Sequence, residues 1–376
     1  MSSPSTVEQI FTGDGNIDFV GKRRVAYWVT LGLIVVCVVG ILVRGFNLGI
    51  DFEGGTKMNM PAANLETSQV QETFKNATGI EPEQVQIVGS GDTQILEINS
   101  QRLTQEQIDA ARQALFDAYK TVNSEGRQTP DAIGDSTVSE SWGSTITTRM
   151  LISMGVFLLV AFGYIALRLQ GAMAIAAILA LFVDLITIMG LYALVGFEVT
   201  PATIIGLLTV LAFSLYDTVI VFDKVRENTA GYLGNKRMTY AEHANLAINQ
   251  TVMRSISTTV ISVLPILALM VIAVWLMGVG TLKDLALIQL IGVVWGTVSS
   301  IFLATPFLVS VKNRTKKTKE HNEQVAKYRA KLESGETPDD EEEKRLAQAV
   351  AASESRLSAI ENPNSSGVSW RPGRNN

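Results

Sequence analysis

The sequence predicts a polytopic α-helical membrane protein, with six transmembrane helices and a small α+β, ferredoxin-like extracytoplasmic domain between the first and second. Of its 376 residues 47% are hydrophobic and only 18% charged, a balance found in chains that cross a bilayer repeatedly. Apolar runs recur at about 25–43, 150–167, 172–195, 201–222, 256–276 and 285–310, each near the 20 or so helical residues that a hydrocarbon core requires. Residues 44–149 are polar and carry helix and strand patterns of their own.

Residues 1–24 form a cytoplasmic N-terminal segment ending in Lys22, Arg23 and Arg24. The first span, 25–43, runs on into "GFNLGIDFEGGT" with no small-residue cleavage site, so it reads as a retained helix. Basic residues also lie between the second and third spans (Arg168), in a loop at about 223–255 (Lys224, Arg226, Lys236, Arg237), and after the sixth (Lys312, Arg314, Lys316). Of the alternate connections, "GFEVT" at 196–200 has no basic residue and the turn before the sixth span only Lys283, which places both termini of a multi-pass membrane protein in the cytoplasm and residues 44–149 outside.

Within 44–149, Val70, Phe74 and Ala77 follow a cap signal at Ser68-x-x-Gln71, and Ile108, Ala111, Leu115, Tyr119 and Val122 follow Thr104-x-x-Gln107. Between these two helices "EQVQIVGSGDTQILEIN" reads as two short strands joined by a Ser-Gly-Asp turn. Residues 150–310 hold the other five spans, and 311–376 a charged, largely disordered cytoplasmic tail with a short helix at "NEQVAKYRAKLE".

Cys37 is the only cysteine, so no disulfide framework is available within one chain. No phosphate-cradling Gly-x-x-x-x-Gly-Lys-Ser/Thr loop occurs, and the two histidines, His243 and His321, fall in cytoplasmic segments. The chemistry expected is therefore not that of an enzyme: no catalytic residues, cofactor, metal site or nucleic-acid partner is anticipated.

What does call for explanation is acid inside the apolar spans. A charge at mid-membrane costs about 3 kcal/mol on insertion scales, so such a group is neutral, paired or facing water. Asp217 lies in the fourth span on nearly one face with Gly206 and Val210, beside Ser214, where a second helix can approach. Asp184 lies midway along the third span, with Ala177, Ala180 and Thr187 on its side. The fifth span offers a hydroxyl stripe, Ser255, Thr258, Thr259 and Ser262, with Arg254 at its entrance and within reach of Asp217. An acid whose surroundings alternate binds a proton in one arrangement and releases it in another. The static alternatives are an interhelical hydrogen bond at Asp217, an Asp184 satisfied by Thr187, a solvated helix end at Asp223 and a snorkelling Arg254. Gly292-x-x-x-Gly296 reads as a close-packing face.

Four stretches together resemble the SecF family of bacterial protein-export membrane proteins: "FNLGIDFEGGT", "TPATIIGLLTVLAFSLYDTVIVFDKVREN", "NQTVMRSISTT" and "LIGVVWGTVSSIFLATPFL", in the family's order over about residues 20–312. The resemblance implies a protein of the resistance-nodulation-division superfamily that pairs with SecD and assists export through the SecYEG channel using the proton motive force. Its partners would be SecD, SecYEG, the unfolded polypeptide and the lipid bilayer, and its coupling ion the proton. The family's proton-coupling acid falls on Asp217, its arginine on Arg254 and its third-span aspartate on Asp184, with Val183 where several relatives carry histidine. The motif Gly49, Asp51, Gly54, Gly55 and Thr56 marks the joint between the first helix and the outer domain, where Gly54 and Gly55 supply a hinge or a tight turn. A half-transporter of small molecules and a non-transporting translocon scaffold are the competing readings.

Overall fold

The computed structural model describes residues 17–62, 65–123, 125–276 and 280–334. Among these, six helices are long and apolar enough to cross a membrane. Helix α1 (Arg23–Arg44) is the first, and Val25, Trp28, Val35 and Leu42 lie exposed along it, as suits a helix bathed in lipid.

The chain then enters the inserted domain through β1 (Asn47–Leu48), a single-turn helix α2 (Ile50–Glu53) and β2 (Gly55–Pro61). There follow α3 (Thr67–Thr78), β3 (Gln84–Val88), β4 (Ile95–Ser100), α4 (Gln105–Tyr119) and β5 (Gly134–Val138). The four long strands form a sheet of order β3-β4-β2-β5, antiparallel throughout. Met58 and Met60 of β2 and Leu96 and Ile98 of β4 meet Val70, Phe74 and Leu115 from the two helices in one core. Alternate residues of β2 are buried, the period of a strand with one covered face.

Thr104 caps α4 as its sequence indicates: Gln107 N–H donates to Thr104 Oγ1 (3.3 Å) and Thr104 N–H to Gln107 Oε1 (3.0 Å). For α3 the expectation needs correcting, because Ser68 lies inside the helix and Glu66 stands at its N-cap, its carboxylate accepting from Gln69 Nε2 (3.0 Å) and capping no backbone N–H. Strands β2 and β5 add to the two predicted; β5 is an edge strand, largely exposed, and has no apolar alternation to betray it.

Helix α5 (Glu140–Arg168) starts about ten residues before the predicted second span, capped by Ser139. Gly143 allows this early start by letting the helix lie on the α2 backbone; a Cβ there would sit 2.6 Å from the Phe52 carbonyl oxygen. Next come α6 (Gly171–Val195), β6 (Glu198–Val199) and α7 (Pro201–Asn228), the last opened by Thr200 at its cap and Pro201 at its first position. Strand β6 pairs parallel with β1, Asn47 opposite Glu198, and so ties the domain's entrance to the bundle.

Helix α8 (Tyr240–Leu269) begins from a Thr239–Glu242 capping box. The loop expected at 223–255 is therefore much shorter, since α7 continues to Asn228 and α8 starts at Tyr240. Beyond α8 the helix widens to π geometry over Met270–Leu276. The last span is α9 (Gly280–Ser299), a π-helical turn Ser300–Ala304, and α10 (Thr305–Lys312). In the tail, predicted as largely disordered, α11 (Lys316–Glu333) is longer than the short helix anticipated. Its Val325 and Tyr328 are buried, and Arg329 pairs with Glu242 of α8 at 2.8 Å. Residues 335–376 of that predicted tail and residues 1–16 lie outside the described residues.

Burial sorts the spans. In the most apolar stretch of α1, α5 and α8 only 17%, 11% and 11% of residues are buried, against 44% to 50% for α6, α7 and the last span. The inner helices are those that carry Asp184 and Asp217.

Candidate functional site

Helices α7 and α9 run side by side in matched register. Gly206 lies against Ile288, Val210 against Gly292 and Ser214 against Gly296, each pair four residues beyond the last. The glycines do for these helices what small residues do in lipid: they let the backbones close until side-chain polar groups meet. A Cβ on Gly296 would stand 2.9 Å from Ser214 Cβ. The close-packing face expected of Gly292 and Gly296 is thus the surface that receives α7.

Asp217 ends this seam, 5% exposed. Ser255 Oγ of α8 donates to its Oδ1 at 2.7 Å, and Ser300 Oγ of the π-helical turn donates to its Oδ2. Hydroxyls serve a carboxyl group in either charge state, donating to the ionised form and accepting from the protonated one. Asp184 on α6 is fully buried and accepts from Ser214 Oγ at 2.5 Å. Trp295 and Ser299 of α9 face the same carboxyl, although among the described residues Asp184 Oδ1, Trp295 Nε1 and Ser299 Oγ have no partner within hydrogen-bond geometry. Since Ser214 and Asp217 are three residues apart on α7, the two acids occupy successive layers separated by about 4.5 Å of helix rise. Consecutive serines, Ser299 and Ser300, therefore address different acids.

Several expectations need correction. Arg254 does not reach Asp217: its side chain is exposed on the outer side of α8, and no ion pair joins the two. Ser255 occupies that position because it points inward, 100° around the helix from Arg254. Thr187 does not satisfy Asp184, its Oγ1 having no partner of its own. Of the hydroxyl stripe only Ser255 meets a carboxylate. Thr258 donates to the Arg254 carbonyl, Thr259 to that of Ser255, and Thr259 also pairs with Thr297 at 2.5 Å, while Ser262 lies half-buried further along. Asp223 is not the solvated helix end anticipated for it: α7 continues five residues beyond, and the half-buried carboxylate is ion-paired with Arg168 (2.6 Å) and Arg226 (3.2 Å).

At the domain joint, Gly54 and Gly55 have φ of 84° and 146°, and a Cβ on them would lie 2.9 Å from Glu140 N and 2.6 Å from Ser100 O. This is a packed turn of backbone against backbone. Thr56 is buried and accepts at Oγ1 from Leu103 N–H at 3.0 Å; Asp51 is half-buried in the first turn of α2. Gly49 N–H donates to the Val199 carbonyl at 2.9 Å, and a Cβ on Gly49 would crowd the Glu198 carboxylate. Glu198, which sequence reasoning passed over, accepts from Asn99 Nδ2 at 3.3 Å. Burial pushes its carboxyl up from the usual range; Lys57 and Lys283 oppose that shift, and Glu97 and Asp51 reinforce it.

Two family models match the chain: "Protein export membrane protein SecD/SecF, C-terminal" over residues 118–314 and "SecD/SecF GG Motif" over 39–63. The protein translocase subunit SecF of Mycobacterium tuberculosis is 48% identical over 359 residues, which cover 93% of this chain and 81% of that one. The SecF subunit of Streptomyces coelicolor is 37% identical, over 88% and 87%. Among solved structures, the translocon-associated membrane protein SecDF of Thermus thermophilus is similar, at 28% identity with a TM-score of 0.67, over 80% of this chain and 39% of that longer one. With more than half its length matched by a family model and close relatives aligned nearly end to end, this chain belongs to the SecD/SecF family of protein-export membrane proteins.

Proposed function

We propose that this protein is the SecF-type subunit of a SecD/SecF accessory complex of the protein translocase, and that proton binding and release at Asp217 couples the proton motive force to export. The observation that carries the reading is the setting of Asp217: a buried carboxylate on an inner helix, held by two serine hydroxyls rather than a fixed counter-charge. Such a site accepts both charge states without rebuilding the bundle. One charge moved through 100 mV yields about 2.3 kcal/mol, a usable increment when repeated.

Arg254 enters by a change of partner. A turn of α8 by about one residue, roughly 100°, exchanges Ser255 for Arg254 at Asp217 and favours the ionised acid. Asp184, coupled through Ser214, is the second member of the unit. The match to 39% of a longer SecDF chain supports a SecD-type partner supplying the other half, with SecYEG and an emerging polypeptide as the working context. The βαββαβ order and 4-1-3-2 strand arrangement support the ferredoxin-like reading of the inserted domain. Basic residues before α1 and after α10 support cytoplasmic termini and an extracytoplasmic domain.

The test is translocation in sealed vesicles after the ATP-driven phase, with and without a proton gradient. Asp217→Asn is expected to assemble with its partner while losing the gradient-dependent stimulation. Retention of that stimulation sinks the coupling role.

A further inference from the structure

Ser300 has one hydroxyl hydrogen and two acceptors. Its Oγ lies against Asp217 Oδ2 and also 3.0 Å from the Thr297 carbonyl, one turn earlier on its own helix. The residue is fully buried, so water offers no third choice. An ionised Asp217 takes that hydrogen in a charge-assisted bond. A carboxyl protonated at Oδ2 instead donates to Ser300 Oγ, and the Ser300 hydrogen swings to the Thr297 carbonyl. No Ser300 O–H bond breaks: the proton entering the site stays on Asp217, and the serine only rotates.

The place where this choice is made is unusual. Ser300 opens the π-helical turn Ser300–Ala304, between the α-helical α9 and α10. A π turn is a single-residue excess in the helical ladder, found often at functional sites, and a serine that bonds back to a carbonyl of its own helix competes for the main-chain acceptor and bends the helix. Thr297 is itself held by Thr259 of α8. Two residues past Ser300, Phe302 packs edge-on to Phe19, ring centroids 5.3 Å apart. Phe19 belongs to the segment ahead of α1, whose backbone is gripped by two asparagines of α8. Asn245 Oδ1 accepts from Phe19 N–H (2.8 Å) and Val20 N–H (3.2 Å), and Asn245 and Asn249 both donate to the Ile17 carbonyl (2.9 and 3.0 Å). A continuous set of contacts thus leads from the Asp217 carboxyl to the N-terminal segment.

We propose that Ser300 is a positioning residue that passes the protonation state of Asp217 to the π-helical turn, and through Phe302 and Phe19 to the segment clamped by Asn245 and Asn249. The inference rests on the proposed titration of Asp217. The charged and titratable groups on the elements packed about that acid are Asp184 and Tyr192 of α6, Tyr216, Asp223, Lys224, Arg226 and Glu227 on α7 itself, Tyr240, Glu242, His243 and Arg254 of α8, and Glu140, Arg149, Tyr164 and Arg168 on α5. Helix α9 brings hydroxyls, glycines, the Trp295 indole and apolar side chains to this stretch, Lys283 and Asp284 lying near its other end.

The experiment uses the full-length protein in lipid nanodiscs. Infrared difference spectra against pH follow the protonated-carboxyl band assigned by Asp217→Asn, and amide hydrogen exchange, corrected for its intrinsic pH dependence, follows residues 17–21 and 300–304. Expected in the wild type is a change in protection of about tenfold in both segments at the midpoint of the Asp217 band, the ratio one hydrogen bond supports. Ser300→Ala keeps the titrating band but loses the response of both segments; Ser300→Thr restores it. Phe19→Ala keeps the response at 300–304 and loses it at 17–21. A band that titrates while exchange stays flat in the wild type, or exchange that still follows pH in Ser300→Ala, overturns this inference and leaves the coupling role of Asp217 standing. A band that never moves overturns both.

Discussion

Asp184 and Ser214 share a 2.5 Å hydrogen bond across the α6–α7 interface, and Ser214 stands one helical turn from Asp217. The two acids are thereby linked by a rigid stretch of α7.

Ser214→Ala removes the one hydrogen bond made to Asp184 among the described residues and leaves a buried carboxyl unsatisfied. A loss of about 1–3 kcal/mol is expected, read from thermal unfolding in detergent. Asp184→Asn combined with Ser214→Ala should cost less than the sum of the single changes, because both act on one interaction.

Gly292→Leu is expected to separate α7 from α9. Even a single Cβ at this position meets Val210, and overpacking of this kind costs about 1–3 kcal/mol or more. The check is chemical crosslinking between cysteines placed on the two helices. It should fail in Gly292→Leu and persist in Asp217→Asn, which keeps the seam.

In the protein without its partner, Arg254→Gln should leave the Asp217 infrared band where it is, since Ser255 and Ser300 are the groups that touch the acid. A shift of that band by a pH unit would mean that the arginine already lies at the carboxylate.

Glu198 makes the domain joint sensitive to pH. Its folded-state carboxyl binds its proton more tightly than the unfolded one, so the folded form holds more protons and stability falls as pH rises above the ordinary value of 4.5. Glu198→Gln should flatten that fall and raise the melting temperature at neutral pH. Thermal melts across pH 4–8 check this, Asn99→Ala serving as the control that breaks the contact without removing the acid.

Much of this could be read from residue order. The spans, the acids within them, the α4 cap and the glycine seam each depend on local pattern or on the cost of burying charge, and those are properties of the sequence. The partners of Ser214, Ser300 and Glu198 were not legible: a serine in an apolar run most often bonds to its own helix, and only the packing of α6 and of the last span against α7 turns these two toward carboxylates, while Glu198 is brought to the domain joint by the pairing of β6 with β1. Arg254 misled for a related reason. Its distance from Asp217 along the membrane normal was right, but its direction around α8 was not. The start of α5 lay beyond reach because Gly143 acts on a backbone ninety residues away in sequence.

Because α5 is docked on the α2 turn at its first residues and then runs unbroken for 29, about 43 Å, the inserted domain and the far rim of the bundle share one stiff rod. A tilt of about 5° at the docked end sweeps the other by about 4 Å, the rise of between two and three helical residues. Leverage of that size carries a small rocking of the inserted domain to the Arg168–Asp223 ion pair at the helix's other end.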